Sequence, residues 1–173
     1  MSIIVEKAKL KDVENIELII DSCKKILKKS GSPQWSDEDE PTKASLVDAI
    51  ENNLVYIFMV NQSIVGTAIL TKQIEPAYSS LEYGSWVKAS LPYYSIHRFA
   101  IDPSENGKGY AKLFFKLLTV IALEAGAKDI RVDTHPLNVA MQKVILANGF
   151  NFKGIIKLPI SNGERYAYQK VCS

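Results

Sequence analysis

Cysteine and histidine are scarce, with two of each among 173 residues. Cys23 and Cys172 stand far apart and belong to no metal-binding or redox pattern, so a reduced, cytoplasmic setting is expected and no metal is implied. Charge of one sign is also lacking. Twenty-one Lys and Arg against nineteen Asp and Glu leave a net charge of +2, and the lysines are interspersed with acids. Nucleic acid is therefore not expected as the main partner. No apolar run approaches the roughly 20 residues that a membrane span needs. The stretch Met1-Ser2-Ile3-Ile4-Val5-Glu6-Lys7 lacks the basic-then-apolar order of an export signal, so neither export nor membrane anchoring is expected. Repeats, low-complexity tracts and linkers are missing too. With 47% hydrophobic residues, 1–173 reads as one domain with a full core.

What is present is an alternation of strands and helices. Ile3 to Ala8 reads as a strand, and Lys11 to Lys29 as a helix with Val13, Ile16, Ile20, Cys23 and Leu27 on one face. Cys23 is then expected in the core. Ser30-Gly31-Ser32-Pro33 ends that helix, and Pro41 starts another, carrying Leu46, Val47 and Ile50. Leu54 to Val60 and Ile64 to Thr71 are apolar on both pleat faces around Asn61-Gln62-Ser63, which predicts a central antiparallel hairpin in a sheet with helices on both sides. Gln73 to Leu91 has no clean period and reads as a loop near the site. A fourth strand runs from Tyr94 to Ile101, and a fifth lies around Ile130 to Thr134. After the Asn138 helix, two last strands span Phe152 to Leu158 and Glu164 to Val171.

The most informative segment is Asn106-Gly107-Lys108-Gly109-Tyr110-Ala111, between the fourth strand and a helix whose apolar stripe is Tyr110, Leu113, Phe114, Leu117, Leu118 and Ile121. Glycines there let successive N–H groups curl around an anion at the positive end of the helix, which predicts a phosphate-bearing ligand. Close backbone approach to a diphosphate leaves little room for a Cβ, and tight turns before helices often need positive φ. Lys108 adds a mobile positive charge. A P-loop is excluded because Gly-Lys-Ser/Thr is absent, and a dinucleotide fingerprint fails because Lys112 stands where its third small residue belongs.

The segment resembles the Gln/Arg-x-x-Gly-x-Gly/Ala loop of the GNAT superfamily of acyl-CoA-dependent N-acyltransferases, with Gly109 and Ala111 in the small positions and Asn106 replacing Gln or Arg. Downstream, Asn138-x-x-Met141 followed by Asn148-Gly149-Phe150 resembles the family's Asn-x-x-Ala helix ending in Gly-Phe. The resemblance implies an α/β fold of GNAT type: a mixed, strongly twisted sheet with helices on both faces and a splay between the fourth and fifth strands. It implies a pantetheine arm paired with backbone at Phe99, Ala100 and Ile101, and a fourth-strand N–H facing the acyl oxygen. The diphosphate would sit in the loop of Asn106, Gly107, Lys108, Gly109, Tyr110 and Ala111, and Asn138 would touch the cofactor across the splay.

The implied reaction moves an acetyl group from acetyl-CoA to a primary amine of a small molecule or peptide, directly, in a ternary complex. Competing expectations are a catalytically weak acyl-CoA-binding or regulatory module and a mononucleotide-binding protein. Homodimerisation is allowed. An alkylammonium with a reference pKa near 10.4 must lose a proton before attacking a thioester. His97, on a pleat face with Ser95 and Phe99, is the candidate base; the alternative is a satisfied core histidine. Some amine-directed members carry histidine at the matching position, others Glu where this chain has Ser95. His135 opens the turn Thr134-His135-Pro136 and is expected to bond its own turn. Ile145 occupies the position where many members carry the tyrosine that protonates the departing thiolate. Either the thiolate leaves unaided or Tyr94 or Tyr168 substitutes. For the acceptor, Gln34-Trp35-Ser36-Asp37-Glu38-Asp39-Glu40 offers an aromatic face with four acids, or else a solvated loop with a core tryptophan; Tyr83, Trp86, Tyr93 and Tyr94 are further candidates.

Overall fold

Seven strands, β1 (Ile3–Lys7), β2 (Val55–Val60), β3 (Ser63–Thr71), β4 (Tyr94–Ile101), β5 (Asp129–Thr134), β6 (Asn151–Lys157) and β7 (Glu164–Val171), form one sheet in a computed structural model that describes residues 1–88 and 92–172. Their order is β1-β2-β3-β4-β5-β7-β6. Every neighbouring pair is antiparallel except β4 and β5. The helices are α1 (Val13–Lys29), α2 (Lys43–Glu51), α3 (Tyr110–Glu124) and α4 (Val139–Ala147).

The expected two-sided burial of β2 is explicit in its alternation. Val55 and Ile57 pack with Ile16 and Ile20 of α1 and Leu46 and Ile50 of α2, whereas Phe58 and Val60 join Phe114 and Leu118 of α3 and Ile145 of α4. Two apolar layers thus sandwich the sheet, α1 and α2 on one face and α3 and α4 on the other. Asn61 and Gln62, with φ of 48° and 69°, close the β2–β3 hairpin in a two-residue turn whose twist matches the strands.

Several boundaries differ from the sequence pattern for local reasons. The helix expected from Lys11 begins as a 3-10 turn, Leu10–Asp12, in which Asp12 Oδ2 accepts the Lys9 N–H at 2.8 Å. The helix expected from Pro41 starts at Lys43, because Thr42 Oγ1 accepts the Ser45 N–H and Ser45 Oγ accepts the Thr42 N–H, each at 3.1 Å.

The segment read as a loop contains another 3-10 turn, Pro76–Ser80, capped by Glu75. Its order comes from burial of Tyr78 and from a cation–π stack. The Arg131 guanidinium lies 4.3 Å from the Trp86 ring centre and 4.2 Å from that of Tyr93, and Arg131 Nη2 meets Asp129 Oδ2 at 2.7 Å. Gln169 ties the same segment down, donating to Val87 O and accepting from Val87 N at 2.9 Å. Positions 89–91 of that expected loop lie outside the described residues.

The feature that makes a site is the meeting of β4 and β5. They pair only through Tyr94↔Ile130, Ser95↔Arg131 and Ile96↔Val132. Beyond that, β4 stays with β3 as far as Ile101↔Gly66, and β5 stays with β7 as far as Thr134↔Tyr166. The expected splay is therefore present, and it leaves the β5-facing edge of β4 without a strand partner from His97 onward.

Candidate active site

A cleft of about 610 Å³ occupies the splay. At one end it reaches Asn106, Ala111, Asn138, Met141 and Val144; along one wall run Phe99, Ala100 and Ile101; at the other end stand His97, Glu75, Asp133, Arg98, Trp35 and Asp39. Of the residues expected to hold a cofactor, Phe99, Ala100, Ile101, Asn106, Ala111 and Asn138 line this cleft, while Gly107, Lys108, Gly109 and Tyr110 form the turn just outside its wall.

That turn is built by backbone conformation. Gly107 and Gly109 have φ of 83° and 79°, the left-handed region where a Cβ is strained. No other protein atom would lie within 4 Å of a Cβ added to either glycine, so the chain itself does not crowd them. Gly109 caps α3 without a side-chain bond, and the 15-residue helix presents its first-turn N–H groups there. Lys108, expected as a mobile charge, is half exposed and its Nζ meets Glu105 Oε2 at 2.6 Å on the surface. Hydrogen bonding to Glu105, then its charge, raises the Lys108 pKa. The Tyr110 ring packs edge-on against Phe58, at 5.7 Å, in the core.

At the other end the sheet is irregular. Arg98 has φ of 50°, and the β3–β4 register slips so that Ile69 faces His97 and Thr67 faces Ala100. This bulge inserts one residue into β4 and reverses the side-chain alternation beyond it. The expectation that His97 shares a face with both Ser95 and Phe99 is therefore half corrected. His97 Nε2 lies 2.8 Å from Ser95 Oγ, but Phe99 turns to the other face, where it stacks on Phe114 at 5.2 Å and meets Phe115 edge-to-face at 5.4 Å. The reason is the register slip, which no alternation of residue types in β4 announces.

Around His97 stand groups that sequence reading passed over. Its ring stacks on Tyr78 at 6.3 Å, and Tyr78 O–H donates to Asp133 Oδ2 at 2.7 Å. Burial raises the Asp133 pKa, and nearby His97, the Tyr78 hydrogen bond and Arg165 oppose it. Burial, the Asp133 charge and the same hydrogen bond push the Tyr78 phenol well up. Arg165, 2% exposed, donates to Asp39 Oδ2 at 2.9 Å and to the Asn162 and Glu164 carbonyls. Arg98 Nη1 donates to Ser45 Oγ at 2.8 Å, and burial lowers its pKa while Asp39 opposes the change. Apart from Asp39, which belongs to the acidic loop, no sequence motif marks these residues; they lie on six separated segments.

The remaining candidates sort clearly. From the acidic loop, Gln34, Trp35 and Asp39 line the cleft, and Trp35 also packs against the α1–α2 core. Glu40 pairs with Lys24 at 2.8 Å and Glu38 accepts the Ser161 N–H; the Asp37 side chain lies outside the described set. Tyr83, Trp86, Tyr93 and Tyr94 are not in the cleft wall. Tyr83 is 83% exposed, and Trp86 and Tyr93 are committed to Arg131. Tyr93 supports the wall only through its hydroxyl, which accepts the Glu75 N–H at 2.8 Å.

Neither Tyr94 nor Tyr168 reaches the cleft to stand in for the tyrosine replaced by Ile145, which is fully buried against α3 and the sheet. His135 Nδ1 accepts the Leu137 N–H at 3.0 Å, the expected bond within its own turn, and burial lowers its pKa. Asn138 caps α4 by accepting the Met141 N–H at 3.1 Å and donates to Gln34 Oε1 at 3.1 Å, which ties α4 to the loop across the cleft. Cys23 is not a plain core residue: it lines the cleft, its Sγ donates to Ile101 O at 3.3 Å, and burial first, then Asp102, pushes the thiol up to about 11.

A mixed sheet parted between two parallel strands, with a glycine-led helix at one end of the gap and an irregular, histidine-bearing strand at the other, is the GNAT fold. The sequence model of the acetyltransferase (GNAT) family matches residues 20–150, and the chain belongs to that family. A GNAT-family acetyltransferase from Streptococcus agalactiae superposes with a TM-score of 0.90 at 27% identity, over 99% of this chain and 96% of that one. One from Listeria monocytogenes gives 0.73 at 23% identity, covering 98% and 95%. An N-acetyltransferase from Staphylococcus aureus gives 0.68 at 19% identity, covering 99% of each chain. The last two likenesses speak for the fold alone. No curated protein matches the chain. No helix among the described residues is long and apolar enough to cross a membrane.

Proposed function

We propose that the protein is an N-acetyltransferase that moves an acetyl group from acetyl-CoA directly to a primary amine of a small molecule or peptide, with His97 as the base. The observation that carries this reading is the continuity of one cleft from the α3 turn, past the open edge of β4, to His97. The positive-φ glycines and the first-turn N–H groups of α3 suit a diphosphate. The edge of β4 that has no strand partner from His97 onward suits an arm that bonds like an added strand, and a backbone N–H of that edge would serve a developing oxyanion.

At the far end His97 takes the ammonium proton, directly or through water, with the buried Asp133 side chain close by. Direct transfer is supported by Cys23, the thiol in the cleft wall: a thiol pushed up to about 11 stays protonated at neutral pH and is a poor nucleophile. Release of free thiol from acetyl-CoA, measured across a panel of primary amines, tests the proposal. Amine-dependent release supports it. Tight CoA binding with no release from any amine would instead indicate an acyl-CoA-binding module.

A further inference from the structure

Among the described residues, Thr134 Oγ1 is the one buried side-chain oxygen or nitrogen without a hydrogen-bond partner, and Thr134 is 1% exposed. Native proteins rarely leave such a group unsatisfied without a use for it. Thr134 lines the cleft at the end of β5. Its pairing with Tyr166 of β7 occupies its backbone and leaves the hydroxyl unspoken for. Counting from the last parallel pair, Ile96↔Val132, Thr134 is level with the Arg98 bulge and the start of the Phe99–Ile101 edge. It also shares a pleat face with Val132, which packs into the α3–α4 core. It therefore stands on the wall opposite β4, on the side where α3 and α4 lie and one step from the His97 and Asp133 level.

We infer that Thr134 donates its hydroxyl hydrogen to the sulfur of the acyl thioester and stabilises the departing thiolate. This rests on the acyl-CoA reading above. An arm running from the α3 turn along β4, with its acyl carbon presented to an amine at His97, must pass between Phe99 and Thr134 just before that carbon, where the sulfur is. In the step, the amine nitrogen bonds to the acyl carbon, the C–S bond breaks and its electron pair leaves on sulfur; the amine proton passes to His97. Thr134 keeps its own proton. A thiol with a reference pKa near 8.5 leaves as the anion, so a fixed donor is enough and no acid is required. The buried Ile145 position does not supply one.

Thr134→Val keeps shape and strand preference while removing the hydroxyl, and Thr134→Ser keeps the hydroxyl. The expected result is that Thr134→Val lowers kcat by roughly ten- to a hundred-fold, the range for a hydrogen bond to a charged acceptor, with KM for acetyl-CoA within about threefold on the same reasoning, while Thr134→Ser largely restores kcat. The ligand-free melting temperature of Thr134→Val should be unchanged or higher, since an unpaired buried hydroxyl is removed. Calorimetric titration gives a readout independent of turnover. Wild type should bind CoA increasingly better than desulfo-CoA as pH rises from 7 to 9 and the thiol ionises, and Thr134→Val should lose that increase.

An unchanged kcat, a lowered ligand-free melting temperature or an unfolded Thr134→Val would each overturn the inference, because the hydroxyl would then be idle or bonded within the protein. If no amine releases thiol but the pH-dependent preference for CoA is present in wild type and lost in the variant, the transferase reading fails while the sulfur contact stands. No CoA binding by wild type overturns both.

Discussion

Replacing His97 separates its chemical role from its structural one only if the replacement respects Ser95. Ser95 is fully buried and its hydroxyl bonds to His97 Nε2 at 2.8 Å. His97→Ala therefore strips a buried hydroxyl of its partner, at about 1–3 kcal/mol. For a chain of this size that lowers the melting temperature by roughly 2–12 °C, whether or not the ring is a base. His97→Gln is the informative change, since its amide can still bond Ser95 Oγ and lie against Tyr78 but cannot accept the amine proton at neutral pH. The expected outcome for His97→Gln is a near-native melting temperature with kcat/KM reduced by about 10² to 10⁴, the contribution of a positioned general base. Affinity for acetyl-CoA should be little changed, because the phosphate-suited turn lies at the other end of the cleft. The assay is thiol release over a pH series, with melting curves on the same preparation. In wild type the acid limb reports protonation of the base; in the variant it should move or vanish. A folded His97→Gln with kcat/KM within threefold of wild type and an unaltered acid limb would remove His97 from the chemistry.

Gly109→Val should abolish the rise in melting temperature caused by CoA, whereas Gly109→Asn, which tolerates φ near 79°, should retain part of it; an unchanged shift in the valine variant would detach the turn from the site. Cys23 carries a pH signature. Between 9.0, the thiol's ordinary value, and about 11, its folded one, the unfolded chain loses the proton while the folded chain keeps it. Stability contributed below pH 9 is thus lost as pH rises, by about 1.4 kcal/mol per unit in that window. Denaturant midpoints for Cys23→Ala should fall less steeply across the window than those of wild type. Replacing Cys23 and Cys172 together should leave turnover largely intact and reveal no covalent acyl-enzyme by mass spectrometry. Arg131→Met leaves Asp129 buried without its cation and should cost about 3–5 kcal/mol in urea unfolding, with Trp86 fluorescence reporting the loosened segment.

Local patterns carry the elements because a strand or helix answers to residues two to four places away. That is why Tyr94 to Ile101, the Tyr110 helix and the Glu164 to Val171 strand stand where alternation and the apolar stripe put them. The Asn106–Ala111 turn was legible for the same reason: positive φ before a helix demands glycine, and the demand is met within six residues. The other half of the site was not legible. Tyr78 reaches Asp133 across 55 positions and Arg165 reaches Asp39 across 126, and no spacing encodes those meetings. The aromatic residues around Trp86 looked like pocket lining because composition alone does not tell a ligand's cation from the protein's own, and Arg131 is the cation they hold. The bulge at Arg98 is a slip in the register between β4 and β3, which exists only once the two strands pair. Sequence determined which strand bears the histidine and which turn suits an anion; tertiary pairing decided which way His97 points, what surrounds it, and that β4 and β5 part to open the cleft between them.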